Sequence, residues 1–438
     1  MTDVLPDATG ETIEWNEPGS AVRVPVYRYL SAEFAALEER RLWPRVWQIA
    51  CTVDHVAEPG DYYEYRAGPY SVLIVRGDDG ELRAFQNVCR HRGNSICQGS
   101  GEGLTQIQCP WHRWTWNLQG ELREVPSRRW FGGVVNADFP LFPVHVAEWA
   151  RIVWVNHDPD AAPLLDYLEG IPADAAWADL DEFRCAAVTR TPVECNWKVI
   201  ADGFGETYHV QGIHPEMLGS MDDVNTRQRL WRHHGVSYQQ YGVPSPRLGR
   251  DVPDQVVWDS FVDTQGGRMG PAYATRCPAP PVPDGQTMLD VIAQKIREHH
   301  ATLGTDLARF TSEQMLMLAQ YNVFPNSTVL VWGEMLNVLL GRPGPTPDQS
   351  ELVTYTFYRA PSAHAPRTRP VEVGLPADAA GTGVIAQDIG VLRTAQRGLH
   401  QPGLTHLTLS SEECRILNMQ RNLERYLGIE PSELEPLV

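Results

Sequence analysis

Cys89-Arg90-His91 and Cys109-Pro110-Trp111-His112 each offer one thiolate and one imidazole, with seventeen residues between the two pairs. Two soft sulfurs and two borderline nitrogens suit a tetrahedral zinc. They also suit a [2Fe–2S] cluster with two cysteines on one iron and two histidines on the other. The order decides between them. A common zinc finger runs Cys-Cys then His-His, because each hairpin or helix supplies a like pair. Here each stretch supplies one ligand of each kind, so two matching loops clasp a two-iron cluster from both sides.

A second set lies downstream in NWKVIADGFGETYHVQGIHPE, which starts at Asn196 and holds Glu206, His209 and His214 at intervals of three and five. Glu206 and His209 would share a helix face. His214 would not: five residues turn a helix to roughly 140° from His209. Both histidines reach one ion only if the helix ends or distorts between them, and Gly212 permits that. Two neutral imidazoles and one carboxylate form the facial triad of mononuclear non-heme Fe(II), with positions left open for O₂ and substrate. Glu206 could be the carboxylate, but Asp388 is the better candidate. In AQDIGVLRTAQRGL it has Val384 and Ile385 before it and Val391, Leu392 and Ala395 after it at helical spacing. That places a carboxylate on the apolar stripe, which is costly unless a cation or metal compensates it. Asp202 is either an outer-shell contact of the iron or a helix-start carboxylate.

CRHRG at 89–93 and CPWH at 109–112 resemble the Rieske signature of ring-hydroxylating oxygenases, with Arg113 standing where that family often has Gly. GFGETYHVQGIHPE at 203–216 is similar to the catalytic helix of Rieske oxygenase α subunits, and AQDIGVLRTAQRGL at 386–399 to the segment that supplies their aspartate ligand. Gly203 stands where members often have Asn ahead of the Phe. The resemblance runs from about residue 30 to the end. It implies an α+β chain: an antiparallel β Rieske domain attached to a helix-grip (START-like) catalytic domain with an antiparallel sheet. It implies Cys89, His91, Cys109 and His112 on the cluster, and His209, His214 and Asp388 on Fe(II). It implies a head-to-tail ring, usually a homotrimer, in which the cluster of one subunit serves the iron of the next. A carboxylate bridges the two, and Glu206 takes that place. The partners implied are O₂, a small organic substrate, an NAD(P)H-fed ferredoxin or flavin reductase, and in some rings a β subunit. The chemistry implied is dihydroxylation, monohydroxylation or oxidative dealkylation of an apolar substrate, often aromatic as in aromatic hydrocarbon catabolism. A non-catalytic Rieske electron carrier would explain the first set and leave Glu206, His209, His214 and Asp388 without a purpose. A zinc-binding interaction module fits the Cys-His order poorly.

The elements that must position these residues come from the pattern of the whole chain. It has 438 residues, 42% of them apolar, enough for two domains with sizeable cores. Lys plus Arg is 37 against 55 Asp plus Glu, a formal charge of -18, which argues against nucleic acid or anionic membrane as a main partner. The eight cysteines are scattered, unlike a disulfide scaffold. The amino terminus lacks a basic start and an apolar run, and no run is long enough to span a bilayer, so a cytoplasmic protein is expected. The division expected is an arm and helix over 1–45, a cluster domain over 46–160 and a catalytic domain over 161–438.

Residues 1–25 read as an irregular arm, and Ser31 as the cap of a helix to about Leu42. Short strands follow, with Ser71–Arg76 and Glu81–Phe85 flanking a Gly77-Asp78-Asp79-Gly80 turn, and Arg151–Val155 closing the unit. Residues 158–163 read as a linker. In the second domain the pattern predicts strands at Val188–Glu194, 226–242, 320–324, Thr328–Leu340 and Glu351–Arg359. Helices are predicted at Asp290–Leu318, Val384–Leu399 and Ser411–Leu427. Residues 243–286, rich in Pro and Gly, read as a loop that serves as a lid over a pocket. The expected pocket walls are Phe204, Met217, Met221, Phe324, Val331 and Leu336. His233-His234 and His299-His300 read as solvated or pocket-lining residues, and Cys97 as a packed small residue.

Overall fold

Alternating apolar residues in 62–86 build hairpins, and the four-residue turn expected between them closes as the sequence requires. Gly77 N–H reaches Glu81 O at 2.8 Å, and Gly80 takes the left-handed φ of 81° that the turn needs. These strands belong to a seven-stranded antiparallel sheet. Its order is Gln48–Thr52, Ile152–Asn156, Pro143–Trp149, Leu82–Gln86, Tyr70–Arg76, Tyr62–Ala67 and Ser100–Gly101. A three-stranded sheet of Leu122–Glu124, Thr115–Trp116 and Ile107–Gln108 carries the second Cys/His loop. The computed structural model describes residues 13–15, 19–249, 251–362, 365–376, 383–430 and 434–436. Its chain divides into two compact units, and these sheets lie in the one formed by 37–167 and 366–370.

The other unit, formed by 1–36, 168–365 and 371–438, is built on a nine-stranded sheet. Its order is Ile13–Trp15, Met221–Leu230, Gly235–Tyr241, Met317–Val323, Ser327–Val331, Met335–Pro343, Ser350–Arg359, Phe183–Val193 and Val371–Gly374. Every pairing is antiparallel except the last. Helices Trp197–Gly203, Met288–Thr302, Val384–Leu399 and Cys414–Leu427 also belong to this unit. The α+β architecture is the expected one. No helix among the described residues is long and apolar enough to cross a membrane.

Several expectations are corrected. The amino-terminal arm is not irregular throughout: Val22–Pro25 pairs with His406–Leu409, and Ile13–Trp15 with residues 228–230. Residues 1–12 and 16–18 lie outside the described residues. The single strand at 226–242 is a hairpin, Met221–Leu230 and Gly235–Tyr241. The strand Thr328–Leu340 is likewise two, because the chain turns at Trp332–Glu334. The long helix from Asp290 ends at Thr302, where Gly304 takes a φ of 81°. Ser31 does cap a helix, Ala32–Arg41, its Oγ accepting from Phe34 N–H at 3.1 Å.

The largest correction concerns 243–286. It holds a twelve-residue helix, Asp254–Gln265, with Trp258 and Phe261 both 0% exposed in the catalytic unit's core. Val257, Trp258, Phe261 and Val262 recur at helical spacing, and the surrounding Pro and Gly hide that period. This helix is core wall rather than lid. Trp258→Ala is therefore expected to cost about 3–5 kcal/mol, read from the shift of the denaturant midpoint. A cost under about 1 kcal/mol would mark the segment as a peripheral cover.

Candidate metal centres

The two Cys/His loops are copies of one backbone device. Cys89 N–H donates to Asn94 O at 2.8 Å and Gly93 N–H to Cys89 O at 3.0 Å. In the second loop Cys109 N–H donates to Trp114 O at 2.9 Å and Arg113 N–H to Cys109 O at 3.0 Å. Each loop needs a left-handed residue four places after its cysteine: Gly93 has φ 73° and Arg113 has φ 59°. Arg113 adopts the glycine conformation and bears its steric cost. Asn87 fixes the first loop, its Oδ1 accepting from the N–H groups of Ile96 and Cys97, both at 3.0 Å.

Cys89 and Cys109 are free, buried among apolar side chains, and within hydrogen-bonding reach of one another. Burial raises the Cys89 thiol, and its neighbour Cys109 adds to this. His91 and His112 are only part-buried, their rings 4.8 Å apart, with Trp114 stacked on His91 at 5.4 Å. His91 Nδ1 is buried with no hydrogen-bond partner. An orphaned imidazole nitrogen beside two free thiols fits a group that takes thiolates on its inner side and imidazoles on its outer side, as a [2Fe–2S] cluster with Cys₂His₂ ligation does.

The second centre depends on a broken helix. Asn196 caps Trp197–Gly203 by accepting from Lys198 N–H at 3.0 Å, and the helix stops after Gly203. The carbonyl of Phe204 then accepts from Gln320 Nε2 at 2.5 Å, Asn322 Nδ2 at 3.0 Å and Thr328 Oγ1 at 3.4 Å. Three sheet donors take a carbonyl that the helix end leaves unpaired. Gly205 lets the chain turn there: a Cβ would stand 2.8 Å from Ile416 Cγ1 and 3.0 Å from Ala201 O. Glu206 therefore does not share a helix face with His209 as expected. It lies in the break, where its Oε2 accepts from His209 N–H at 2.9 Å and its Oε1 pairs with His209 Nδ1 at 2.7 Å. One turn of helix, Val210–Ile213, separates the two histidines, which flank it as its end residues.

Asp388 comes from the helix Val384–Leu399, whose buried face is Asp388, Ile389, Leu392, Gln396 and Leu399. Val391, expected on that stripe, is exposed, and Ile389 takes its place. Gln396 Oε1 accepts from Asn196 N–H at 3.0 Å, tying this helix to the start of the one that leads to His209. His214 Nε2 lies 2.9 Å from Asp388 Oδ1 and His209 Nε2 lies 3.9 Å from it. Donor atoms of His209, His214 and Asp388 all lie within 4.8 Å of one another. Two cis ligands at about 2.1 Å from an ion stand roughly 3 Å apart, so one ion fits this set. Both tautomers suit it. His209 Nδ1–H donates to Glu206 and His214 Nδ1–H to Gln387 Oε1 at 2.6 Å, which turns both Nε2 lone pairs toward Asp388. Burial presses His214 toward neutrality, but Asp388 and Gln387 outweigh it and hold its pKa above the ordinary value.

Gln387 was not legible as a site residue, although it directly precedes Asp388. Asp202 lies in the last turn of its helix rather than at a helix start, and its Oδ2 accepts from Tyr29 O–H at 2.7 Å. Burial pushes its carboxyl up to about 7, against Tyr29 and Lys198. It lines a cavity of about 280 Å³ with Glu206, His209 and Asp388.

A larger cavity of about 540 Å³ opens on the same three donors. Of the expected walls, Phe204, Met217 and Met221 line it, as do His299 and His300. Phe324, Val331 and Leu336 are buried elsewhere. Val331 pairs with Leu336 across the hairpin, and their neighbours Leu330 and Asn337, also paired, line the cavity instead. Strand residues alternate between faces, so the expectation chose the wrong one. His234 is buried and its Nδ1 accepts from Phe324 N–H at 3.0 Å, whereas His233 pairs with Glu169 at 2.6 Å. The Cys97 thiol is pushed up to about 11 by burial, as a packed residue would be.

Residues 46–137 match the Rieske [2Fe-2S] domain, and residues 174–429, more than half of the chain, match the ring hydroxylating alpha subunit catalytic domain. The chain belongs to the ring-hydroxylating oxygenase alpha-subunit family, whose cofactors are a [2Fe–2S] cluster and a mononuclear iron. It is similar to the carnitine monooxygenase oxygenase subunit of Escherichia coli K12, with 31% identity over 56% of this chain and 66% of that one. It is also similar to the glycine betaine monooxygenase oxygenase subunit of Chromohalobacter salexigens, with 28% identity over 49% of this chain and 48% of that one. These matches span two-thirds or less of the relatives' lengths. The fold resembles a quaternary ammonium Rieske monooxygenase, with TM-score 0.67, 18% identity, and 94% and 96% of the two chains covered. It also resembles naphthalene 1,2-dioxygenase, with TM-score 0.63, 18% identity, and 94% of each chain covered.

Arg113→Gly is expected to stabilise the protein by about 1 kcal/mol, since glycine meets no Cβ penalty at positive φ. Chemical denaturation measures it, and a loss of stability would mean that the Arg113 side chain holds the loop. Asp388→Ala is expected to lose the mononuclear iron while the visible spectrum of the cluster persists. Full iron occupancy in that variant would show that another carboxylate is the ligand.

Proposed function

We propose that this chain is the terminal oxygenase of a multi-component system. A cluster held by Cys89, His91, Cys109 and His112 would take NAD(P)H electrons from a separate ferredoxin or flavin reductase, and an iron held by His209, His214 and Asp388 would supply the reduction of O₂. One oxygen atom enters the substrate; the other, with two electrons and two protons, leaves as water. The observation that carries this reading is the placement of His209, His214 and Asp388 on the wall of a cavity of about 540 Å³. Iron bound there supplies O₂ activation. An electron carrier has no need of such a cavity, and the zinc-module alternative leaves it equally without a purpose.

The residues of the chain do the positioning. Glu206 fixes the ring of His209, and Gln387 fixes that of His214. Phe204, Met217, Met221 and Leu318 give the cavity apolar walls that limit water. Asp202, with a carboxyl near 7, holds or releases a proton close to Glu206. In the assembly proposed, a head-to-tail trimer, Glu206 accepts a second hydrogen bond from cluster ligand His112 of the next subunit, and a β subunit is a further candidate partner.

The substrate proposed is a quaternary ammonium compound oxidised at a carbon attached to nitrogen. The named activities of the sequence relatives, carnitine and glycine betaine monooxygenase, support it. So do the aromatic side chains of Phe204 and Tyr241 in the cavity wall, because aromatic rings attract a cation that has no N–H to donate. An aromatic ring as substrate, expected from the family resemblance, has only a shared fold behind it.

Glu206→Gln tests the coupling. A carboxylate accepts from two histidines at once, whereas an amide has one accepting atom. The variant is expected to keep both metals and the cluster spectrum, yet to reoxidise its cluster slowly in a single turnover with substrate and O₂. Reoxidation at the wild-type rate would mean that electrons pass by another route.

A further inference from the structure

The cavity that opens on His209, His214 and Asp388 is lined, among the described residues, by one arginine and no lysine. That arginine, Arg268, sits in the turn Gly266–Met269, and its partner Glu334 sits in the hairpin turn before Met335–Pro343. Arg268 Nε donates to Glu334 Oε1 at 2.5 Å, and Nη2 donates to Met315 O at 2.9 Å. Nη1 is 3.5 Å from Gln265 Oε1. The guanidinium carbon stands 5.5 Å from the Trp332 ring centre and 5.7 Å from that of Phe261. The two side chains are only 6% and 2% exposed.

The Nε–Nη2 edge of the guanidinium, which would grip a substrate carboxylate side-on with two hydrogen bonds, is therefore already taken by Glu334 and Met315 O, and Nη1 keeps only the long contact to Gln265. His300, on the same wall, does not replace it. Burial lowers its pKa, Arg268 and Arg359 lower it further, and Glu334 opposes them only in part. The other carboxylates on the wall, Glu206 and Asp388, would balance the charge of a dication held by the metal set. A substrate carboxylate entering here would be buried without a free cationic partner, at high cost. A single positive charge with an uncharged tail meets no such cost. The rings of Phe204 and Tyr241 attract the cation, and the amides of Gln239 and Asn337 line the wall for a neutral tail.

We propose that Glu334, by closing off Arg268, makes this cavity select a monocationic quaternary ammonium compound with a neutral tail, such as an ammonium alcohol, over a zwitterion that carries a carboxylate. The inference rests on the quaternary ammonium reading given above, and it predicts a preference opposite to that for carnitine or glycine betaine, both zwitterions.

Calorimetric titration of the iron-loaded protein with choline, glycine betaine, carnitine and 3,3-dimethylbutan-1-ol, the neutral isostere of choline, separates the two. Choline is expected to bind at least about tenfold tighter than either zwitterion and than the isostere. A zwitterion binding as tightly as choline, both above the isostere, overturns the selection by charge and leaves the ammonium reading standing. The isostere binding as tightly as choline, or no binding of any ammonium compound, overturns the ammonium reading and this inference with it. Glu334→Gln leaves the charge of Arg268 uncompensated on the cavity wall and is expected to raise zwitterion affinity about tenfold relative to choline; an unchanged ratio overturns the role of Glu334. If the unpaired guanidinium prevents folding, the double variant Arg268→Gln/Glu334→Gln keeps the wall neutral. It is expected to keep the wild-type order, and a double variant that prefers the zwitterions contradicts the inference.

Discussion

The carbonyl of Phe204 is the point on which the mononuclear centre depends. A helix that continued past Gly203 would carry His209 and His214 to different sides. Three donors from the sheet, Gln320, Asn322 and Thr328, take that carbonyl out of the helical pattern and hold the chain open. Gln320 and Asn322 lie on one face of their strand, and Thr328 is the cross-strand partner of Asn322. Buried Arg415 in turn donates to Asn322 Oδ1 at 2.5 Å. The break is thus a property of the sheet, and Glu206 uses the freed backbone to hold His209 by both its ring and its N–H.

The chemistry was more legible in the sequence than the geometry. Cys89, His91, Cys109 and His112 can be read directly because each loop carries its own ligand pair. Asp388 was legible because a carboxylate on an apolar stripe is costly without a cation. The helix break was not, because the groups that enforce it lie more than a hundred residues downstream of Phe204. Nor was Gln387, whose role appears only when its helix is docked against His214. Val331 and Leu336 pair across the hairpin that turns at Trp332–Glu334 and so share one face, while the other face, with Leu330 and Asn337, is the one that meets the cavity.

Function in this fold requires the two centres to differ in exposure. At the cluster loops the cysteines are buried and the histidines stand at the edge, which suits electron transfer through imidazole to another protein surface. At the second centre the donors face a cavity and are backed by Glu206 and Gln387, which suits a metal that must keep open positions for small molecules. A chain with both is adapted to accept electrons at one place and spend them at another. The closed Arg268–Glu334 pair adds a constraint of a different kind, since it bears on which substrates can enter and not on the metals.

The central claim is that this chain holds a two-iron cluster and a separate single iron. Iron and acid-labile sulfide content of the anaerobically reconstituted protein, before and after mild chelation, tests it most directly. The account predicts about three irons and two sulfides per chain, with one iron removed by the chelator and the visible cluster spectrum unchanged. Zinc in place of the cluster, or about two irons with none lost to the chelator, would contradict it.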